Sequence, residues 1–384
     1  MYYEVVLQAA AAVRFPFGAQ YQIAADEPAN APRIAFTTRY ADCGLQEPIA
    51  TGLIVVVSGN AQGLNEAASQ SVGLVNRLSP VLSLVGNGAV QNAEPILALG
   101  EPKPHQEFAQ FVVPELQIAE ATNLLNAGAL KETIELLGPH PKMDRLLTAI
   151  RHYALAMQNW RPGYEMSALS SLFAGMEALK SLAVADELAA NGISRTDLAK
   201  KWSVKLKDVD SEARKRLLFQ GDVQTHDDAS KARHGYVHGF LTFETVDALA
   251  VLARDKTASY LRNAIFKLLG VSATTLNDLA KFSTPPTSGT FNGVTGTKKI
   301  PASVEEAAML DFRLLVEVER RPVEVRLDRA TGIYSIDMTS NMTLRGGEMS
   351  ISGSLYKAGT NMSNAPTITA VKRGGDSGEW VPVS

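Results

Sequence analysis

The spacing of apolar residues changes near residue 115, and this change constrains the fold more than any other feature of the chain. Before it, short apolar stretches are bounded by Gly, Pro, Asn and Asp, which is typical of β-strands. After it, apolar residues recur with the 3.6-residue period of amphipathic helices, as far as residue 269. Because the two patterns occupy separate blocks, we expect an α+β multidomain protein.

The 384 residues exceed the usual size of one hydrophobic core, so two or three domains are expected. The first is an N-terminal α/β domain, in which strands surround one helix over 64–86. An all-α bundle and a linker follow, and a small C-terminal β domain ends the chain. The predicted boundaries are 1–114, 115–270, 271–305 and 306–384.

Helices of the bundle are predicted wherever the 3.6-residue period is clear, over 119–128, 142–160, 167–190, 194–202 and 244–270. Gly138-Pro139-His140-Pro141 and Arg161-Pro162-Gly163 separate helices, and Gly270 suits a C-terminal cap. The linker is rich in Pro, Gly, Ser and Thr over 282–303, and the residues beyond it alternate with period two.

Composition excludes several classes of protein. Apolar residues make up 46% and charged residues 20%, as in an ordinary globular protein, and the N-terminus lacks the basic and apolar regions of a signal peptide. We therefore expect a cytoplasmic protein without a membrane contact. The net charge of −3 argues against a sequence-independent DNA coater, so any nucleic-acid site must be local. Cys43 is the only cysteine, which excludes an internal disulfide and a Cys-rich zinc site but leaves a nucleophilic role open.

The stretch Lys231-Ala-Arg-His-Gly-Tyr-Val-His-Gly239 holds the strongest candidate for chemistry. His234 and His238 lie four apart, but Gly235 replaces the Glu of an HExxH zinc motif, so neither a metal nor a cofactor is predicted. Arg233 places a cation beside histidines, the residue type that most often transfers protons in catalysis. This pair suits phosphoryl chemistry, in which one group moves protons and the other stabilises developing charge. A plain cluster on a helix surface is the alternative.

A carboxylate upstream is the second candidate. Glu177 falls on the same helix side as Met166, Phe173 and Met176, where an unpaired charge would be costly. We expect it to form an ion pair with Arg233 or His238; an edge position that reaches solvent is the alternative.

The segment between these two candidates is basic. Residues 193–220 carry eight Lys or Arg against four Asp or Glu, a local excess of positive charge in an acidic chain. This charge would attract an RNA backbone, and Trp202 could stack a base. A solvated helix face with Trp202 packed inward is equally compatible. The predicted RNA-binding residues are Lys200, Lys201, Trp202, Lys205, Arg214 and Arg216.

Residues 140–270 resemble the Apea-like branch of the HEPN superfamily. Met176-Glu177-Ala178-Leu179 matches the acidic helix of that family. Arg233, four intervening residues and His238-Gly239 match its Arg-x4-His motif, and His234 fits the polar position after the Arg. The resemblance implies a dimer with the two motifs facing each other. It also implies either a ribonuclease of a defence or toxin system or an inactive relative that binds nucleotides or scaffolds a complex.

The sequence thus predicts a metal-independent endoribonuclease in which Arg233, His238, His234 and Glu177 are catalytic. Its RNA products would carry a 2′,3′-cyclic phosphate and a 5′-hydroxyl. The first alternative is a non-catalytic HEPN module that binds RNA or nucleotide. The second is a sensor whose β domains recognise a protein or nucleic-acid trigger.

Overall fold

A computed structural model describes most of the chain up to residue 281 and a set of strands beyond it. The described residues are 1–23, 32–41, 49–101, 105–112, 121–161, 163–281, 285–286, 290–298, 316–327, 333–344, 349–358, 361–364, 368–373 and 380–382. Cys43 lies outside them.

The N-terminal part is built from strands and one long helix. In chain order these are β1 (Tyr2–Ala9), β2 (Val13–Arg14), β3 (Gln20–Ile23), β4 (Arg33–Ala41), β5 (Ile49–Asn60), α1 (Leu64–Gly86), β6 (Glu94–Leu99) and β7 (Phe108–Gln110).

Six of these strands form an antiparallel sheet in the order β3-β4-β5-β1-β6-β7. Alternate residues of β1 and β5, such as Val5, Leu7, Val55 and Val57, are buried on one face. Helix α1 connects β5 to β6 and packs against β1 and β6. The predicted helix over 64–86 is therefore confirmed, and period-two alternation gives this sheet its buried face.

The helical region begins later than the sequence predicts. The stretch 119–128 was expected to be helical, but Ala121–Leu124 forms a strand, β8, which pairs with β2. The buried Asn123 side chain donates to the carbonyls of Gly86 and Asn87 at the end of α1. The side chain of Asn126 then accepts from the amide of Ala129 and starts the next helix.

Helices follow as far as residue 280. They are α2 (Ala127–Leu137), α3 (Met143–Gln158), α4 (Glu165–Asn191), α5 (Arg195–Trp202), α6 (Val209–Ala213), α7 (Val223–His238), α8 (Phe243–Leu269) and α9 (Ala273–Ala280). A π-helical turn, Arg214–Leu218, continues α6. Helix α9 lies where a linker was expected, because Glu132 of α2 accepts hydrogen bonds from Ser272 and Thr275 at its first turn.

Helix α4 lies at the centre of the helical region, against α3, α7 and α8. It is the one helix of the described residues that is long and apolar enough to cross a membrane, and half of its most apolar window is buried inside the protein. Leu169, Leu172 and Met176 are among the core residues on α4, so packing explains its apolar character.

One hydrophobic core joins the sheet to the helices, because the same cluster contains Val5 and Leu53 as well as Leu169 and Leu261. Arg262 of α8 reinforces this junction. Its buried guanidinium donates to the carbonyls of Leu84 and Val85 in α1 and of Leu279 in α9. The predicted boundary at residue 114 therefore does not separate two hydrophobic cores.

Strands follow the helices in the described residues. They are β9 (Thr290–Lys298), β10 (Val316–Leu327), β11 (Ile333–Leu344), β12 (Met349–Ala358), β13 (Asn361–Asn364), β14 (Ile368–Arg373) and β15 (Trp380–Pro382). Strands β13, β12 and β9 form one sheet, and β9 too falls inside the predicted linker. Strand β11 pairs with β10, β14 and β8, so backbone pairing continues from the N-terminal strands into these later ones.

Candidate functional site

Helix α7 carries the Arg-x4-His motif and starts at a well-defined cap. Asp222 accepts from the amide and the hydroxyl of Thr225, and also from Lys256 and Tyr260 of α8. These hydrogen bonds, those to Thr225 above all, hold the pKa of Asp222 well below its usual range. The helix ends at Gly239, whose φ of 66° is the left-handed conformation of a C-terminal cap.

Arg233 is half-buried, and no carboxylate of the described residues pairs with it. Its guanidinium carbon lies 5.2 Å from the centre of the Phe173 ring in α4, a cation–π contact. Among the described residues, no hydrogen-bond acceptor or acid contacts this guanidinium, although its nitrogens are not sealed from solvent. Arg233 is therefore a cation with its donors available to a ligand.

The two histidines lie on the exposed surface at the end of α7. The rings of His234 and His238 stack with centres 6.0 Å apart, and Phe240 stacks on His238 at 6.5 Å. Nδ1 of His234 donates to the carbonyl oxygen of Ser230 at 2.7 Å, which leaves Nε2 available. Positions 233 and 238 are about 140° apart around a regular helix, so Arg233 faces the protein while His238 faces outward.

The predicted partner of Glu177 is wrong. Its carboxylate pairs with Arg214 and with Lys180, the latter at 2.7 Å, and not with Arg233 or His238. The π-helical turn brings Arg214 to α4, so that its guanidinium carbon lies 4.6 Å from the centre of the Phe173 ring. Glu177 therefore contacts Arg214 and not the motif residues themselves. Arg214 and Arg233 both lie against the ring of Phe173.

Arg214 is largely buried, with 12% of its side chain exposed. Burial lowers the pKa of this guanidinium, and the positive charge of Arg233 lowers that pKa further. The structure therefore brings together Glu177, Arg214 and Arg233 on one side of α7, and His234 and His238 on another.

His226 also belongs to the site, although its residue type and position were not among the predicted site residues. Its Nε2 accepts from Nε of Arg214 at 3.4 Å, and its Nδ1 donates to Asp227 at 2.9 Å, a pattern that requires the neutral ring. Burial lowers the pKa of His226, the hydrogen bond to Asp227 raises it, and the charge of Arg214 lowers it again. The signal was readable, because His226, Ser230 and Arg233 recur at helical spacing on one face.

The other predicted RNA-binding residues do not form one free basic patch. Trp202 is 6% exposed and packs with Val184, Leu198 and Val209, so the inward alternative is correct and the base-stacking role is wrong. Lys200 pairs with Asp197, Lys201 with Glu187, and Arg216 with Glu212. Lys205 is exposed.

In the part of the chain that the structure describes, no three side chains of His, Cys, Asp or Glu are close enough to hold a metal ion together. His234 and His238 are the histidines that stack on each other there, and no acid joins them.

No protein-family model matches the chain, and neither a curated protein nor a solved structure shows a match to it. The likeness to HEPN domains therefore depends on the two sequence motifs alone, and every functional conclusion must be argued from the residues of the site.

Proposed function

We propose that this protein is a metal-independent endoribonuclease with a HEPN-like helical domain. The observation that carries the proposal is Arg233, a half-buried cation that no acid of the described residues pairs with, five residues before the exposed His238. By contrast, Lys200, Lys201, Arg214 and Arg216 each pair with a carboxylate. A guanidinium with free donors and an accessible imidazole together suit a phosphodiester, whose negative charge increases during cleavage.

In this proposal His238 removes the proton from a ribose 2′-hydroxyl. The oxygen attacks the adjacent phosphorus, a new P–O2′ bond forms and the P–O5′ bond breaks. Arg233 stabilises the added negative charge on the phosphoryl oxygens. The leaving 5′-oxygen takes its proton from Nε2 of protonated His234, or from water if His234 binds phosphate instead. The products carry a 2′,3′-cyclic phosphate and a 5′-hydroxyl. DNA is not cleaved, because it lacks the nucleophile.

The proposed active unit is a homodimer that forms through the helical region. Arg233 and His238 diverge around α7, so one copy does not direct both groups to the same phosphate. Apolar side chains are exposed where the motif ends, namely Tyr236, Val237, Phe240 and Phe243. A second copy that covers them would bring its own Arg233 and His238 to the same place. An apolar cluster of this kind marks an interaction surface.

The wider setting is part of the same proposal. The helical region would be the effector, and the strands before and after it would recognise a protein or nucleic-acid trigger. The protein would act in the cytoplasm in defence or as a toxin, with RNA as its substrate.

A non-catalytic module that binds RNA or nucleotide is the second candidate function. The observation that favours it is the separation of the groups, because Arg233 contacts Phe173 whereas His238 contacts His234 and Phe240. In this case Arg233 would hold a phosphate and no bond would break.

Arg233→Ala and His238→Ala test the proposal on labelled RNA. Each variant should lower cleavage by about 10²–10⁴, the range for loss of a general base or of a charge that stabilises the transition state. Arg151→Ala and His105→Ala are matched controls, because both residues are exposed and lie outside the site. Cleavage should survive EDTA. If the wild type binds RNA through Arg233 and never cleaves it, the binding module replaces the ribonuclease.

A further inference from the structure

Two arginines from different elements share one aromatic ring. Phe173 of α4 is completely buried, and the guanidinium carbons of Arg214 and Arg233 lie 4.6 Å and 5.2 Å from its ring centre. Arg214 comes from the π-helical turn, in which the amide of Phe219 donates to the carbonyl of Arg214. Such wide turns are frequent at functional sites. The fold therefore keeps the two positively charged guanidinium groups close together, although they repel each other.

Positive charge exceeds negative charge around this ring. Arg214, Arg233 and Lys180 supply three cations, and Glu177 is the acid in contact with Arg214 and Lys180 among the described residues. The neutral ring of His226 accepts from Arg214 at Nε2. Asp227 accepts a hydrogen bond from Nδ1, the other nitrogen of the same ring. Because the arginines are half-buried or buried, water screens this excess poorly, and an anion would relieve the repulsion.

Both arginines retain hydrogen-bonding capacity. Nη1 of Arg214 forms an ion pair with Glu177 and its Nε donates to His226, while Nη2 contacts no acceptor in the described residues. No nitrogen of Arg233 contacts an acceptor in the described residues either. All of these unpaired nitrogens are accessible to solvent. A guanidinium presents its N–H groups as a planar fork that fits phosphate oxygens.

We propose that Arg214 and Arg233 together form a phosphate-binding site on the face of Phe173. Arg214 is the fixed donor, held by Glu177 and His226, and Arg233 is the accessible one. Glu177 is thus a positioning residue that acts through Arg214. The ligand is the scissile phosphodiester of RNA. This part of the inference rests on the proposed function, whereas affinity for a phosphate group does not.

Inorganic phosphate is the probe, with binding measured by titration calorimetry at constant ionic strength on the full chain. Arg214→Gln and Arg233→Gln should each weaken phosphate binding by about tenfold or more, which is the effect of losing a hydrogen bond between charged groups. Arg151→Gln removes the same charge from an exposed position on α3 and should bind as the wild type does. A wild type without affinity for phosphate overturns the inference.

Arg214→Gln leaves Glu177 with Lys180 alone, so misfolding must be separated from loss of the site. The double variant Glu177→Gln/Arg214→Gln removes both charges of the pair. It should melt close to the wild-type temperature without phosphate, and phosphate should no longer raise that temperature. If this folded double variant binds phosphate with wild-type affinity, Arg214 is not a ligand-binding residue.

RNA cleavage, measured on the same variants, separates this inference from the proposed function. Phosphate affinity that depends on both arginines, in a protein that never cleaves RNA, would refute the ribonuclease and support the site. Cleavage that requires Arg233 but is unchanged in kcat and KM by Arg214→Gln, together with unchanged phosphate affinity, would refute the site and keep the ribonuclease.

Discussion

Arg233 and His238 lie on the same helix, about one and a half turns apart, yet their surroundings differ. Arg233 lies against Phe173 beside the pair of Glu177 and Arg214, whereas His238 belongs to an exposed stack of rings. The contact with Phe173 holds the charge of Arg233 in place, and the exposed position leaves the imidazole of His238 accessible. These are the two requirements of phosphodiester cleavage by a cation and a base.

Asp222 is the residue that connects the motif helix to its neighbour, and its substitution should lower stability. Asp222→Ala removes the N-cap of α7 and should cost about 0.5–2 kcal/mol at neutral pH. Urea unfolding of the wild type and the variant measures this cost. An unchanged free energy of unfolding would show that the cap does not stabilise α7.

The same residue predicts a pH dependence. Because the folded protein holds the pKa of Asp222 below its ordinary value of 3.8, the carboxylate stabilises the fold above the unfolded pKa, and this contribution disappears as the pH falls through and below about 4. The difference in melting temperature between the wild type and Asp222→Asn should therefore be largest near neutral pH and shrink in acid. Asp186→Asn, at an exposed acid outside the site, should show no such trend.

The long helices could be predicted from the sequence, but the residues that meet between them could not. The predicted helices over 142–160, 167–190 and 244–270 agree with α3, α4 and α8 within about two residues at each end. Periodicity and turn residues define such elements locally. Periodicity also places Glu177 on an inward side. It does not show that a π-helical turn brings Arg214 to that carboxylate, because this depends on how distant elements pack.

The short strand β8 shows the same limit at the scale of an element. Four residues are too few for an alternating pattern to show, and this strand exists because Val13 and Ile333, far away in sequence, pair with Asn123. Tertiary pairing here overrides local preference.

Gly235 is the glycine that lets α7 lie close to α8. A Cβ at this position would lie 2.7 Å from Cδ1 of Leu241 and 2.9 Å from Cγ2 of Val246. Gly235→Ala should therefore destabilise the protein by about 1–3 kcal/mol, as overpacking does. An open helical site would instead gain about 0.5–1 kcal/mol from the same change.

Gly138→Ala is the matched control, because its Cβ would meet only the carbonyl of Ile134 at an ordinary 3.7 Å and its φ is −55°. The two free energies of unfolding, measured in urea, should change in opposite directions or differ by more than about 1 kcal/mol. Equal changes would contradict the close packing of α7 on α8.

On the scale of the whole molecule, the sheet and the helices depend on each other. They share one core, and Arg262 binds the carboxyl ends of α1 and α9 from α8. The motif helix α7 packs on the same α8, so the described N-terminal strands contribute to the scaffold of the candidate site.

Arg262→Met should lower the free energy of unfolding by about 3 kcal/mol or more, because three buried carbonyls lose their donor. Arg262→Lys should recover only part of this loss, since one ammonium lacks the planar fork that bridges two helix ends. Arg151→Met, at an exposed arginine, should have little effect. A wild-type unfolding curve for Arg262→Met would show that the junction is not a source of stability.

The most direct test of the central claim uses a DNA oligonucleotide that contains a single ribonucleotide. The proposed mechanism needs one 2′-hydroxyl, so cleavage should occur only at the linkage on the 3′ side of that ribose, in EDTA as well as without it. Mass spectrometry should find a 2′,3′-cyclic phosphate on one product and a 5′-hydroxyl on the other. Cleavage of the all-DNA strand, products that end in a 3′-hydroxyl, or an intact ribose linkage would contradict the account.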